Sequence, residues 1–252
     1  MTYATRDLDE ALRSPREPIS WLVEDLVPAD GLSVWAGAAK SGKSLLACAL
    51  ALAVSSGEPH LWLGRRVKRA RVLLVEMEGS PSSLLDRFAR IAKERDLPVA
   101  PNDVRFTIRP DLTLPENLAR LRETADEIEA GLVIIDPLYL IAGDRDENSS
   151  ASMVPVLASL VDLAERRAVL LIHHTGKPAA ERGSTRDAFA SIRGSSSIFA
   201  AASAAAILET TSEDGLLARL NIRCRDSRRS IIDLERGADA LLWRSAPRGV
   251  AA

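Results

Sequence analysis

Apolar and polar positions alternate along the chain in two kinds of segment, and the order of these segments predicts the architecture. Short apolar runs, typical of strands buried in a sheet, lie at residues 32–36, 71–78, 104–108, 132–135 and 168–172. Apolar residues recur every three or four positions between these runs, which predicts helices at residues 45–54, 84–92, 116–130 and 152–166. The alternation predicts an α/β fold with a mostly parallel sheet flanked by helices.

The two ends of the chain have different patterns. Four short strands are predicted near the C-terminus, at residues 204–210, 216–223, 230–234 and 240–244, and they are expected to extend the sheet as antiparallel hairpins. Residues 1–30 mix charges with sparse apolar positions and prolines. We therefore predict an N-terminal arm over residues 1–25, packed on the core or on a neighbouring subunit, and one domain over residues 26–252.

The segment between the first predicted strand and the first predicted helix has a specific spacing of glycine, lysine and serine. Residues 37–44 match the pattern G-x-x-x-x-G-K-[ST] in full, in the strand–loop–helix setting that it requires. Backbone N–H groups of such a loop bind phosphate oxygens, the lysine reaches the β and γ phosphates, and the serine can hold Mg²⁺. An ordinary glycine-rich turn would not need a Lys-Ser pair at the start of an apolar helix. The predicted nucleotide-binding residues are Gly37, Ala38, Ala39, Lys40, Ser41, Gly42, Lys43, Ser44 and Leu45.

Acidic residues follow two of the predicted strands, where α/β sheets place their chemistry. Asp136 follows four apolar residues and is the acid expected to order Mg²⁺ opposite Ser44. Glu76 and Glu78 could each orient a water that attacks the γ-phosphate, and Glu78 is preferred because it stands just past the strand end. The alternative for this pair is two solvated acids at a strand end.

Two histidines, His173 and His174, follow the strand predicted at residues 168–172. Adjacent strand residues point to opposite faces, so the pair is a poor metal site. A histidine here can sense the γ-phosphate and pass the signal to the polar loop at residues 176–191, although one of the two is expected to be a packing histidine. That loop contains Lys177, Arg182 and Arg186, which could contact a phosphate backbone or could simply be solvated.

Charge and cysteine content narrow the function classes. The formal net charge of −2 gives no chain-wide attraction for nucleic acid, so a nucleic-acid site must be a local patch. The densest basic cluster includes Arg223 and Arg225, which would share one face of a strand. Cys48 and Cys224 lack the spacing of a metal site or a disulfide framework, as expected in a reducing cytoplasm. The longest apolar run, ten residues at 45–54, is too short to span a membrane.

Several motifs, taken in order, resemble those of the RepA-type branch of the RecA-like ATPases, which includes hexameric plasmid helicases. The resemblance covers about residues 15–245 and rests on residues 21–24, the P-loop, Glu78, residues 134–137, residues 173–177 and residues 193–196. It implies ATP at the subunit interfaces of a ring, with Lys43 and Ser44 on phosphate and Mg²⁺ and Asp136 as the second acid. It also implies Glu78 as catalytic base and His174 as γ-phosphate sensor.

The resemblance is incomplete at the arginine finger. The plasmid helicase has an arginine soon after its counterpart of residues 193–196, whereas residues 198–203 here are Ile-Phe-Ala-Ala-Ala-Ser. Arg223 and Arg225 resemble the basic pair that related ring helicases place against the neighbour's γ-phosphate, so they are the predicted trans-acting arginines.

Together these features predict a cytoplasmic, Mg²⁺-dependent RecA-like ATPase that forms a homo-oligomer, expected to be a hexameric ring. The ring is expected to act on single-stranded DNA, as a replicative helicase or DNA-remodelling motor of a plasmid, phage or mobile element. One alternative is an ATP-dependent assembly switch or scaffold that does not separate strands. A small-molecule kinase is a weaker alternative, because no arginine-rich lid follows the core.

Overall fold

A computed structural model describes most of the chain, and its strands alternate with helices as predicted. The described residues are 5, 7–13, 19–56, 62–95, 103–176, 189, 196–225, 227–237 and 242–246. The strands are β1 (Trp21–Val23), β2 (Val27–Pro28), β3 (Gly31–Gly37), β4 (Arg71–Glu76), β5 (Val104–Ile108), β6 (Ala130–Asp136), β7 (Ala168–His174), β8 (Ala204–Thr210), β9 (Leu217–Cys224), β10 (Ser230–Glu235) and β11 (Arg244–Ser245). The helices are α1 (Leu8–Arg13), α2 (Lys43–Ser56), α3 (Pro81–Arg95), α4 (Pro115–Glu127), α5 (Tyr139–Ala142), α6 (Ser150–Leu163) and α7 (Ser196–Ala201).

Within the described residues, nine strands form one mixed sheet in the order β11-β10-β9-β8-β3-β7-β6-β4-β5. Neighbouring strands from β8 to β5 in this order run parallel, and β8, β9, β10 and β11 pair antiparallel. The strand that leads into the P-loop, β3, therefore lies in the middle of the sheet. The strands that end at the predicted acids and histidines, β4, β6 and β7, lie together on one side of β3.

Helices cover both faces of the sheet, because the strand residues are apolar on both sides. One face packs against α2 and α3 through residues such as Leu50, Leu84 and Ile91. The other face packs against α4, α5, α6 and α7 through residues such as Leu121 and Leu160. Almost every residue of α2 is buried, which explains why its sequence is apolar on all sides. None of the helices in the described ranges is long and apolar enough to cross a membrane.

The first strands form a small antiparallel hairpin, β1–β2, that packs on the same core as α2. Leu22 and Val23 are fully enclosed there, and the backbone N–H of Lys68 donates to the carbonyl of Leu22 at 2.8 Å. The predicted boundary at residue 25 falls between the two strands of this hairpin. The preceding helix, α1, leaves Leu8 and Leu12 exposed.

Several predicted element ends differ from the structure, each for a local reason. The strand predicted at residues 71–78 ends at Glu76, because the carboxylate of Glu76 accepts hydrogen bonds from the N–H groups of Glu78 and Gly79 and turns the chain. The strand predicted at residues 168–172 continues to His174, which is paired in register with Gly37 of β3.

The predicted helices and the last strand also shift. The helix predicted at residues 116–130 ends at Glu127, and Glu129 adopts a left-handed φ of 52° that turns the chain into β6. The helix predicted at residues 152–166 begins at Ser150 and tightens into a 3-10 turn over Ala164–Arg166. Of the strand predicted at residues 240–244, only Arg244 lies in β11, and residues 240 and 241 lie outside the described residues.

Candidate nucleotide-binding and catalytic site

The predicted P-loop connects the central strand β3 to α2 by a tight turn. Lys40 and Gly42 both have left-handed backbone angles, with φ of 62° and 93°. The N–H of Ser41 donates to the carbonyl of Ala38 at 3.2 Å, and the N–H of Leu46 donates to the carbonyl of Gly42 at 2.9 Å, which opens the helix. The first N–H groups of α2 have no partner within the helix, so they remain available to an anion.

Lys43 lies inside the curve of this loop. Its ammonium donates to the carbonyl oxygens of Gly37 and Ala38, at 2.9 and 2.7 Å, and the residue is 6% exposed. Burial lowers the pKa of Lys43, while the nearby carboxylates of Asp136 and Glu78 raise it. The structure thus brings the predicted lysine and both preferred acids into one electrostatic neighbourhood.

Two glycines of the loop have no room for a side chain. A Cβ atom on Gly37 would lie 2.7 Å from the carbonyl oxygen of Leu208, in β8. A Cβ atom on Gly42 would lie 2.9 Å from Nε1 of Trp243, a buried residue that precedes β11. The backbone of the P-loop is therefore held closely by the C-terminal strands.

The residues present fit a triphosphate and its Mg²⁺. The hydroxyl of Ser41 is buried in the loop with no hydrogen-bond partner in the described part of the chain, as expected of a group that awaits a ligand. The side chain of Ser44 donates a hydrogen bond to Asp136. Hydroxyl and carboxylate oxygens are ligands that Mg²⁺ prefers. No group of three or more metal-binding side chains occurs among the described residues, and a P-loop site does not need one because phosphates complete the metal's shell.

Asp136 is the last residue of β6 and is buried beside the loop. Burial raises its pKa to about 6; the hydrogen bond from Ser44 opposes this rise, and the neighbouring carboxylate of Glu76 adds to it. Arg87 and Lys43 lower the pKa of Asp136 through their positive charges. The carboxyl group is therefore poised to gain a cation as a ligand.

The structure separates the roles of Glu76 and Glu78. Glu76 is 4% exposed, and its carboxylate accepts from Arg87 and from two backbone N–H groups. Glu78 is exposed, and its carboxylate accepts a hydrogen bond from the hydroxyl of Tyr139. Of the two acids, Glu78 is the one with a carboxylate open to solvent water, which supports its selection as the base.

The two histidines at the end of β7 also differ. His173 is fully buried, with Nε2 4.0 Å from the carboxylate of Glu147. His174 is partly exposed, and its ring lies 5.6 Å from the ring of Tyr139. Because His174 is also paired in register with Gly37, it borders the P-loop, where the predicted sensor should lie.

Arg223 and Arg225 do not lie on one continuous strand, because β9 ends at Cys224. The guanidinium of Arg223 lies over the ring of Phe189 at 4.3 Å and near that of Phe199 at 5.6 Å. Arg225 follows the strand, and its guanidinium is 3.4 Å from the carbonyl oxygen of Ala200. Both arginines thus contact groups of their own chain.

Several predicted residues lie outside the described residues. They are the loop cations Lys177, Arg182 and Arg186, together with Arg193.

Three residues of the site were missed by sequence reasoning: Arg87, Tyr139 and Trp243. A signal existed for Arg87, because it stands three residues after Leu84 and four before Ile91, on the buried face of α3, where a charged residue needs a partner. No local pattern indicated Tyr139 or Trp243. They reach the site through the placement of α5 and β11.

Comparison with known proteins places this geometry in context. The model of a family described as an AAA domain, AAA_25, matches residues 2–180. Among solved structures, the ATPase domain of a phage helicase is similar with a TM-score of 0.68, over 97% of this chain and 100% of that chain, at 13% identity. No curated protein sequence matches. The predicted RecA-like P-loop fold, with antiparallel C-terminal strands, is confirmed, whereas the RepA-type branch stays a prediction.

Proposed function

Because the chain belongs to the AAA_25 family of P-loop ATPases, we propose that it hydrolyses ATP with Mg²⁺ as one subunit of a ring that acts on DNA. The observation that supports hydrolysis best is the meeting of four groups at one end of the sheet. Lys43 and Ser44 open α2, Asp136 ends β6, and Glu78 follows β4. Lys43 is close enough to both acids for each to influence its charge.

Each of these residues has a defined task in the proposed reaction. Lys43 and the N–H groups at the start of α2 would hold the β and γ phosphates, and Ser44 with Asp136 would hold Mg²⁺ and its waters. Bound ATP with its metal would supply a polarised γ-phosphoryl group. The exposed carboxylate of Glu78 is placed to accept a proton from an attacking water. His174, beside the P-loop, would sense the γ-phosphate.

Catalysis requires more positive charge than one subunit provides in this arrangement. Arg223 and Arg225 are the proposed trans-acting arginines, by the resemblance to ring helicases. A neighbouring subunit that supplied them would neutralise charge on the transferred phosphoryl group. This role requires Arg223 to leave the rings of Phe189 and Phe199.

A second candidate function is an ATP-dependent assembly switch or scaffold. The intramolecular position of Arg223 favours it, since a subunit with that arginine held on its own aromatic residues could bind ATP without rapid turnover. The two candidates share the nucleotide site and differ in whether ATP hydrolysis does work on DNA.

The test of the proposed function is nucleotide binding and turnover measured on the same proteins. Wild type should release phosphate from ATP only with Mg²⁺, and Lys43→Ala should lose turnover by about 100-fold or more. Glu78→Gln should still bind a fluorescent ATP analogue while turnover falls by roughly 100-fold. An inactive wild type that binds the analogue would point to the switch, and no binding at all would refute the nucleotide site.

A further inference from the structure

A buried ion pair lies directly beneath the loop that presents Glu78. Arg87, on α3, donates from Nη1 to Oε2 of Glu76 at 3.1 Å, and the two side chains are 20% and 5% exposed. Glu76 is the last residue of β4, so its carboxylate stands where the strand stops. A charge pair this deeply enclosed is costly unless its remaining hydrogen-bonding groups are also satisfied.

The second oxygen of Glu76 satisfies that condition by binding the loop. Oε1 accepts from the N–H of Gly79 at 2.9 Å and from the N–H of Glu78 at 3.2 Å. Two successive backbone donors that converge on one carboxylate oxygen hold the turn that starts at Met77. The N–H of Met77 in turn donates to the carbonyl of Asp136 at 2.8 Å. The position of the Glu78 backbone is thereby tied to both β4 and β6.

Gly79 shows how closely the loop lies on this carboxylate. A Cβ atom at that position would be 2.9 Å from Cδ of Glu76. The same close approach that permits the hydrogen bond therefore excludes a side chain. Residue 79 and the carboxylate of Glu76 form one tightly fitted contact.

Arg87 also reaches the helix that opens with the P-loop lysine. Its Nη1 lies 3.9 Å from Sγ of Cys48, one turn beyond Ser44 in α2. Burial raises the pKa of the Cys48 thiol to about 12, so the sulfur is a neutral contact at physiological pH. Arg87 therefore bridges α2, α3 and the end of β4, the three elements whose spacing sets the distance from the P-loop to Glu78.

We propose that Arg87 and Glu76 are positioning residues that hold Glu78 at its working distance from the phosphates. This inference rests on the proposed function, in which Glu78 is the base. Glu76 cannot itself serve as the base, because both of its oxygens are engaged and it is enclosed. The pair acts through the loop backbone, so its loss should affect the rate of the chemical step and leave ATP binding largely intact.

The first experiment compares Arg87→Gln with Arg90→Gln, an exposed arginine on the same helix. Arg87→Gln should lower kcat by roughly 10- to 100-fold with KM for ATP changed by less than about three-fold, as for groups that orient a catalytic residue. Arg87→Lys keeps a charged donor and should recover part of kcat, and Arg90→Gln should match wild type. Unchanged kcat in Arg87→Gln would overturn the proposal, as would a parallel loss of ATP binding.

A double-mutant cycle tests whether Arg87 acts through Glu78. Residues that act as a unit are non-additive, so Arg87→Gln should cost little further turnover in a Glu78→Gln background. Additive losses would mean that Arg87 acts independently, and the inference would be wrong. A failure of the proposed function is distinguishable from this result, because then wild type itself would not hydrolyse ATP.

A second variant tests the same contact without touching the ion pair. Gly79→Ala places a methyl group against the Glu76 carboxylate and should lower kcat while leaving binding of the fluorescent ATP analogue near the wild-type level. This variant decides the question if Arg87→Gln fails to fold. Wild-type kcat in a folded Gly79→Ala protein would show that the loop does not depend on Glu76.

Discussion

Glu76 and Asp136 are paired in register at the ends of β4 and β6, so two carboxylates are buried side by side. Arg87 pairs with Glu76, whereas Asp136 has only the hydroxyl of Ser44 and more distant cations to stabilise its charge. The sequence predicted both acids, and it could not divide their roles. The division depends on which oxygen atoms are already occupied, and this is a property of packing.

At the residue scale, we predict that Asp136→Asn removes Mg²⁺-dependent turnover yet stabilises the nucleotide-free protein above about pH 6. The pKa of the folded-state carboxyl is about 6, above its ordinary 3.8. Its favourable contribution is therefore complete below pH 3.8 and is lost as the pH rises through 6. A shift of this size corresponds to roughly 1–3 kcal/mol at neutral pH.

Thermal unfolding of the nucleotide-free proteins, measured at several pH values, checks this prediction. The difference in Tm between Asp136→Asn and wild type should widen from acidic to neutral pH. Asp86→Asn, on the exposed face of α3, serves as the control and should show a constant difference. A gap that does not change with pH would mean that Asp136 is not destabilised by burial.

At the element scale, the start of α2 is held by a residue far along the chain, through the contact between Gly42 and Trp243. We predict that Gly42→Ala greatly weakens ATP binding and costs more stability than Gly64→Ala. Both glycines have a left-handed φ, at 93° and 77°, but only Gly42 has a neighbour that a methyl group would strike. The conformational strain alone is worth about 1–2 kcal/mol.

Denaturant unfolding and titration with a fluorescent ATP analogue distinguish the two variants. Gly64→Ala should lose only the strain component and should bind nucleotide like wild type. Equal losses for both variants would show that Trp243 places no constraint on the loop.

Element order and type followed closely from the sequence, and element ends did not. Hydrophobic runs mark the strands because both faces of a central parallel sheet are covered, as the two core clusters show. The ends depend on single contacts, such as the carboxylate of Glu76 that stops β4 or the pairing with Gly37 that extends β7 to His174. Such contacts join residues that no local pattern relates.

At the scale of the whole molecule, we predict that turnover depends on contact between subunits. Arg223→Ala combined with Arg225→Ala should be inactive alone, as should Lys43→Ala, and their mixture should recover turnover because one interface can contain an intact half of each site. Mixing Lys43→Ala with Glu78→Gln is the control and should recover nothing, since both changes disable the same half. Phosphate release measured across a range of protein concentrations is the readout, and it should rise steeply in wild type. If no mixture recovers turnover, Arg193 becomes the next candidate.

We further predict weak, salt-sensitive binding of single-stranded DNA that depends on nucleotide state. The loop cations Lys177, Arg182 and Arg186 follow the γ-phosphate sensor and would contact the phosphate backbone. The ring of Phe189 lies under Arg223, so base stacking should contribute little while this contact persists. Fluorescence anisotropy at low salt, with an ATP analogue and with ADP, should show binding that the triple alanine variant weakens. Absence of binding in an active, oligomeric protein would favour the switch or scaffold.

The sequence by itself determined the parts of this protein that are local in the chain. The P-loop, its flanking strand and helix, and the alternation that specifies a parallel sheet all rest on neighbouring residues, so pattern and backbone chemistry suffice to predict them. Tertiary structure decided which acid is free, which arginine pairs with Glu76, and where Tyr139, Trp243 and Arg223 lie. These choices depend on the order of strands in the sheet and on burial, which bring distant residues together and set the energetic cost of each charge.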